Sequence, residues 1–122
     1  SMKSKKRSIA WKVVKLSENN QYLSACIILP STYSFNKWTY PDVERGYFSF
    51  LYVFKTRQQA INFRRGLEKI HPSNRYRVFK CKVKNAEEHK DVITYNGFQS
   101  ISSKYPYAPE GTLFADAVKL IK

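Results

Sequence analysis

Between Tyr47 and Lys84 the chain reads YFSFLYVFKTRQQAINFRRGLEKIHPSNRYRVFKCKVK, and this stretch admits little besides strand, helix and strand in that order. Tyr47–Phe54 is a nearly unbroken apolar and aromatic run of strand length. A run with no polar face belongs between two covered surfaces, so a central strand is expected. Thr56 is placed to cap the following helix, with Gln59 three residues on as its capping-box partner. Ala60, Phe63, Leu67 and Ile70 recur at helical spacing and predict one apolar stripe, while Arg57, Arg64, Glu68 and Lys69 fall elsewhere on the wheel. Pro72 ends the helix. From Arg75 to Lys84 the period switches to two, with Phe79, Cys81 and Val83 on one face and Lys80, Lys82 and Lys84 on the other.

The flanks supply further strands. In Ile9–Leu16, the residues Ile9, Trp11 and Val13 alternate with Lys12, the pattern of a half-buried strand. Tyr22–Leu29 is a second apolar run, and the short polar link between the two predicts a hairpin. Pro30–Gly46 shows neither period and reads as a long loop, whose rings Tyr33, Phe35, Trp38 and Tyr40 give it reason to pack on something. Asn85–Lys90 reads as a polar surface turn, and Val92–Tyr95 as a short β-prone run before the turn dipeptide Asn96-Gly97. Two prolines and a glycine keep Lys104–Gly111 irregular; Thr112–Ile121 reads as strand, with helix as the alternative. The expected architecture is α+β: a flexible basic arm at 1–8, then a single domain at 9–122 with a mixed or antiparallel sheet and one principal helix packed on one face.

Charge narrows the choice of partners. Lys and Arg number 22 against nine acids, a formal charge of +13 on 122 residues. Such self-repulsion contributes nothing to folding and points to an anionic partner: a small nucleotide, nucleic acid, or an acidic host protein. No apolar stretch approaches the roughly 20 residues of a membrane span, so no membrane partner is expected. Cys26 and Cys81, each inside an apolar run, read as buried free thiols of a reducing, cytoplasmic compartment. Exposed edges of a small sheet offer a route to a homo-oligomer.

Three irregular stretches interleave rings with cations: Trp38, Tyr40, Arg45 and Tyr47; Arg75, Tyr76 and Arg77; Lys104, Tyr105 and Tyr107. A nucleotide offers a flat π face and a phosphate, and a ring beside a cation answers both. Taken singly, each ring reads as core and each cation as solvated. Their conjunction suggests one pocket, with Tyr47 among its residues, in which Arg45, Arg75, Arg77 and Lys104 neutralise phosphate while Trp38, Tyr40, Tyr105 and Tyr107 stack on the base or close over it. The alternative is a backbone tracker built from Lys5, Lys6 and Arg7 of the arm and the strip Lys80, Lys82 and Lys84, which could equally blunt a strand edge. His71 and His89 could in principle serve as an acid–base pair, yet one ends a helix and the other sits in an acidic turn. No Walker loop, Gly-rich fingerprint or zinc spacing is present, so neither a catalytic set, a metal nor a cofactor is expected.

Four blocks in this order, Trp11–Lys15 (WKVVK), Leu51–Phe63 (LYVFKTRQQAINF), Arg77–Lys84 (RVFKCKVK) and Pro109–Leu120 (PEGTLFADAVKL), resemble a group of small phage and prophage proteins that end close to G-T-x-x-A-D-x-V-K-L. The resemblance implies a shared fold and a viral setting, in which small single-domain proteins bind and neutralise host machinery or signalling molecules. It brings no catalytic residues with it. Together with the charge and the rings, it leads to the expectation of a non-enzymatic phage anti-defence protein. That protein would sequester a small anionic nucleotide signal of cyclic nucleotide or cyclic ADP-ribose type in the host cytoplasm.

Overall fold

The computed structural model describes residues 7–25, 31–41, 50–94, 97–102 and 108–122, with side chains described for all of these but 92–94 and 97–101. Two long strands form its spine. β1 (Arg7–Leu16) and the later β6 (Arg75–Ala86) run antiparallel, with Trp11 opposite Lys80 and Val14 opposite Arg77. β1 starts two residues ahead of the expected Ile9, and Arg7 donates to the Lys55 carbonyl at 3.3 Å. The other edge of β1 is shared between β2 (Tyr22–Ser24), paired from Val14 to Leu16, and β5 (Leu51–Phe54), which meets it at Trp11. β5 in turn pairs with β9 (Thr112–Ala115), and Phe114 of β9 bridges Glu87, one residue past β6. The circuit therefore returns to its start, and the sheet curls almost into a barrel. On the far edge of β6 lie β10 (Ala117–Leu120) and then β4 (Trp38–Thr39), while β3 (Thr32–Tyr33) extends β2. β7 (His89–Thr94) and β8 (Gly97–Ser102) make a separate hairpin. The strand pairings are antiparallel; an isolated bridge from Phe35 to Leu120 is parallel. The class is α+β, with one helix, α1 (Arg57–Ile70), among the described residues.

Alternation along each strand sorts its side chains into two buried layers. Ala10 and Val14 of β1 join Leu51, Val53, Cys81 and Leu113 inside the curl. Val13, Phe54 and Tyr76, on the other faces of β1, β5 and β6, meet Ala60 and Leu67 of α1, with Trp11 and Phe63 at the margin. Each fully buried side chain of this size contributes about 1.5–3 kcal/mol, so these layers dominate the stability. They also explain why Leu51–Phe54 carries no polar face. The expectation that Lys12 marks the solvent side of β1 is overturned: Lys12 lies between Ala10 and Val14 on the interior side and is 2% exposed. Strands that return from far along the chain close over that side, and the alternation of one strand carries no record of them.

The helix begins as its sequence predicts, with Thr56 accepting from the Gln59 amide at 3.1 Å. Gln59 does not reciprocate. Its side chain packs instead against Gly111, where φ is +84° and a Cβ would meet Gln59 Oε1 at 2.0 Å. Gly111 is thus fixed by backbone conformation at the turn into β9, and its carbonyl accepts from Lys55 at 2.9 Å. The stripe is Ala60, Phe63 and Leu67 with Ile61 buried beside it, whereas Ile70 is 70% exposed because the last turn runs beyond the sheet. The His71 amide closes the helix on the Leu67 carbonyl at 2.8 Å.

Three connections differ from expectation. The segment read as a long loop holds β3 and β4, joined through Phe35, whose ring stands edge-on to Tyr22 and Phe79 at 5.6 and 4.9 Å. Strands of two residues are too short to display a period. The expected turn at Asn85–Lys90 is occupied by the end of β6, the Glu87 bridge and the start of β7, with Asn85 at φ +50°. The final segment is two strands separated by Asp116, and the break in phase there is why neither period fitted it cleanly.

Candidate functional site

The outward face of β6, β10 and β4 carries four cations, Lys80, Lys82, Lys84 and Lys119. Lys80, Lys82 and Lys84 alternate with buried Cys81 and Val83 and are exposed. Lys82 stands opposite Lys119 of β10, and Lys119 opposite Trp38 of β4, so that one row of the sheet reads Lys82, Lys119, Trp38. In the next row Lys84 faces Ala117, which is fully buried. Lys84 reaches across it. Its Nζ lies 4.5 Å from the centre of the Trp38 ring and 5.3 Å from that of Tyr40, and donates to the Tyr40 hydroxyl at 3.0 Å. Lys119 Nζ lies 5.0 Å from the same Trp38 ring. Tyr40 itself is 56% exposed.

No described carboxylate forms an ion pair with Lys80, Lys82, Lys84 or Lys119; the ion pairs among the described residues fall elsewhere. Asp116, at the corner between β9 and β10, accepts from Asn85 at 2.8 Å and from Lys90. Asp116 thus ties the end of β6 and the start of β7 to this corner. The patch keeps its positive charge, and two ammonium groups share one indole.

The structure brings together residues that the sequence assigns to two different sites. Trp38 and Tyr40, expected in a nucleotide pocket, lie beside Lys84, expected in a backbone-tracking strip, and Trp38 shares a row of the sheet with Lys82. It separates others. Arg75 and Arg77 occupy the alternate face of β6 from the lysines, because odd and even residues of a strand point opposite ways, and Arg77 donates to the Tyr76 carbonyl at 3.0 Å. A pocket joining Arg75 and Arg77 to Trp38 and Tyr40 across β6 is not formed by the described residues. Arg45, Tyr47, Lys104, Tyr105 and Tyr107, and Lys5 and Lys6 of the arm, lie outside the described residues. Lys119 stands out in no sequence pattern, because the block around it fits neither period cleanly; the pairing of β10 with β6 brings it to this face.

Other candidates are less suited to an anion. A groove of about 450 Å³ beside α1 is lined by Gln59, Phe63, Leu67, Ile70, Pro109 and Glu110 among others, and contains no cation. His71 ends α1 and His89 opens β7, where its Nε2 lies 3.6 Å from Asp91 Oδ1. Burial pushes the Cys81 thiol up to about 12, although nearby Lys12 and a hydrogen bond with Ala10 pull the other way. A thiol so hard to ionise is a poor nucleophile. Among the described residues no helix is long and apolar enough to cross a membrane. No protein-family model, curated protein or solved structure matches the chain.

Proposed function

We propose that this protein binds nucleic acid, holding the phosphate backbone along the lysines of β6 and β10. The observation that carries the reading is the set of four cations on one sheet face, Lys80, Lys82, Lys84 and Lys119, without a described carboxylate partner and with an indole beneath two of them. Alternate residues of a strand are about 6.7 Å apart, a spacing commensurate with successive phosphates of an extended chain. Three adjacent strands make a platform about 10 Å across, wide enough for one such chain. A phosphate brought to Lys84 and Lys119 would relieve the repulsion of two ammonium groups over one ring.

The test is a titration of a labelled oligonucleotide across a range of salt. If four phosphates are neutralised, log K falls with log salt at a slope of about −3. The double substitution Lys82→Glu and Lys84→Glu should abolish binding at near-physiological salt while leaving the melting curve in place. Sequestration of a small nucleotide signal, the other outcome of interest, draws on Trp38 and Tyr40 as well. A panel of cyclic mono- and dinucleotides and ADP-ribose derivatives decides it. Tight, weakly salt-dependent binding of one of these, with no oligonucleotide binding, would replace the present reading.

A further inference from the structure

Trp38 and Tyr40 sit on the same face, yet they are not equivalent, and the difference bears on what kind of strand the face accepts. Trp38 is part-buried and already has two ammonium groups at its ring, 4.5 and 5.0 Å from the centroid. Tyr40 is 56% exposed, has one ammonium group at 5.3 Å, and its hydroxyl is tied to that same Lys84. With its nitrogen 3.0 Å from the hydroxyl oxygen and 5.3 Å from the ring centre, that ammonium lies at the hydroxyl end of the ring and not over its face. The tether to Lys84 also fixes the ring at the edge of the platform.

We infer that the ligand is single-stranded nucleic acid, with Tyr40 as the surface on which an unpaired base stacks and Trp38 as a positioning residue that holds Lys84 and Lys119 in register with the phosphates. This rests on the nucleic-acid reading above. In a duplex the π faces of the bases are already stacked on one another, so an exposed tyrosine gains nothing from them; in a single strand they are free. The width of the platform points the same way, because it matches one chain and not two. The roles of the rings follow from their occupancy. A base approaching Trp38 would have to displace lysines that the phosphates need in place, while a base approaching Tyr40 would not.

The two roles leave different signatures. Stacking is a contact of neutral surfaces, so its loss weakens binding without changing the salt dependence; losing the register of two lysines removes phosphate contacts and lowers the slope. The experiment measures fluorescence anisotropy with a labelled twelve-residue oligothymidylate and a duplex of equal length, for the wild type, Tyr40→Ala, Tyr40→Phe, Trp38→Leu and the Lys82→Glu, Lys84→Glu double variant. Compared with Tyr40→Phe, which loses the same hydrogen bond to Lys84, Tyr40→Ala should weaken single-strand binding roughly ten-fold or more at the same slope, and bind the duplex equally. Tyr40→Phe keeps the ring and should remain within about three-fold of wild type. Trp38→Leu should reduce the slope by about 0.7 to 1.4, the share of one or two phosphates on a single strand. If Tyr40→Ala changes single strand and duplex alike, or changes neither, the inference is overturned while the parent reading stands. If the double lysine variant binds as well as wild type, the parent reading falls and this inference with it.

Discussion

Two lysines in this protein make the same kinds of contact in opposite surroundings. Lys12 Nζ donates to the Tyr52 carbonyl at 2.7 Å and lies 4.8 and 5.2 Å from the Tyr52 and Tyr33 rings; Lys84 Nζ donates to the Tyr40 hydroxyl at 3.0 Å and lies 4.5 and 5.3 Å from the Trp38 and Tyr40 rings. Lys12 is 2% exposed and Lys84 stands on the surface. Inside, one carbonyl and two rings are all that the described structure offers in place of water. Removing an ion from water costs several kcal/mol, and a desolvated cation–π contact returns about 2. Outside, water supplies the solvation, and the rings merely orient the amine. Burial, and not the contact set, decides whether a cation belongs to the fold or stays open to solvent.

The largest test of that contrast is at Lys12. Lys12→Glu puts a carboxylate against the Tyr52 carbonyl and should cost about 3–5 kcal/mol, read from urea unfolding, with a fraction of the chain unfolded even without denaturant. Lys12→Met keeps the volume and removes the buried charge, so its midpoint should equal or exceed that of wild type. A severe loss in Lys12→Met would break the comparison, for it would make the interior ammonium itself the element that holds the curl together.

Cys81 reports on the same interior with a smaller effect. Its thiol is raised by burial to about 12 in the folded protein, whereas in the unfolded chain it ionises near 9. Below the unfolded value both states hold the proton, and no stability changes. Between about 9 and 12 the unfolded chain loses the proton first, so stability falls by up to about 1.4 kcal/mol per pH unit. Unfolding midpoints taken from pH 8 to 10.5 should therefore drop more steeply for wild type than for Cys81→Ala. Parallel curves would mean that the interior is far more polar than its aliphatic lining implies.

The smallest expected effect lies on the outer face. Lys84→Met should leave stability within about 0.5 kcal/mol, since surface substitutions away from structural features rarely do more. Its cost should appear in oligonucleotide affinity alone. A stability loss comparable to that of an interior substitution would show that Lys84, like Lys12, belongs to the fold.

Much of this was legible in advance, and the reasons are local. Thr56 and Pro72 bracket α1 because capping chemistry and proline geometry act within a few residues. Lys80, Lys82 and Lys84 declare one exposed face because alternation needs only the strand itself. The capping role that Gln59 offers within its own turn is lost to a neighbour in space, Gly111, 52 positions away in sequence. Composition groups Arg75 and Arg77 with Trp38 and Tyr40, and the alternation of β6 parts them. Lys119 gives no signal because its block breaks phase at Asp116.

Local pattern and total charge are enough for the strand–helix–strand core, the apolar stripe of the helix, the exposed lysine strip and the strong net positive charge, all of which depend on residues within a turn or two of one another or on a sum over the chain. That β10 and β4 pair beside β6, setting Lys119, Trp38 and Tyr40 next to that strip, and that returning strands enclose Lys12, follows from the closure of the whole sheet. Which strand lies beside which is settled by how the buried layers close over one another, a balance over the whole chain that no short window of residues contains.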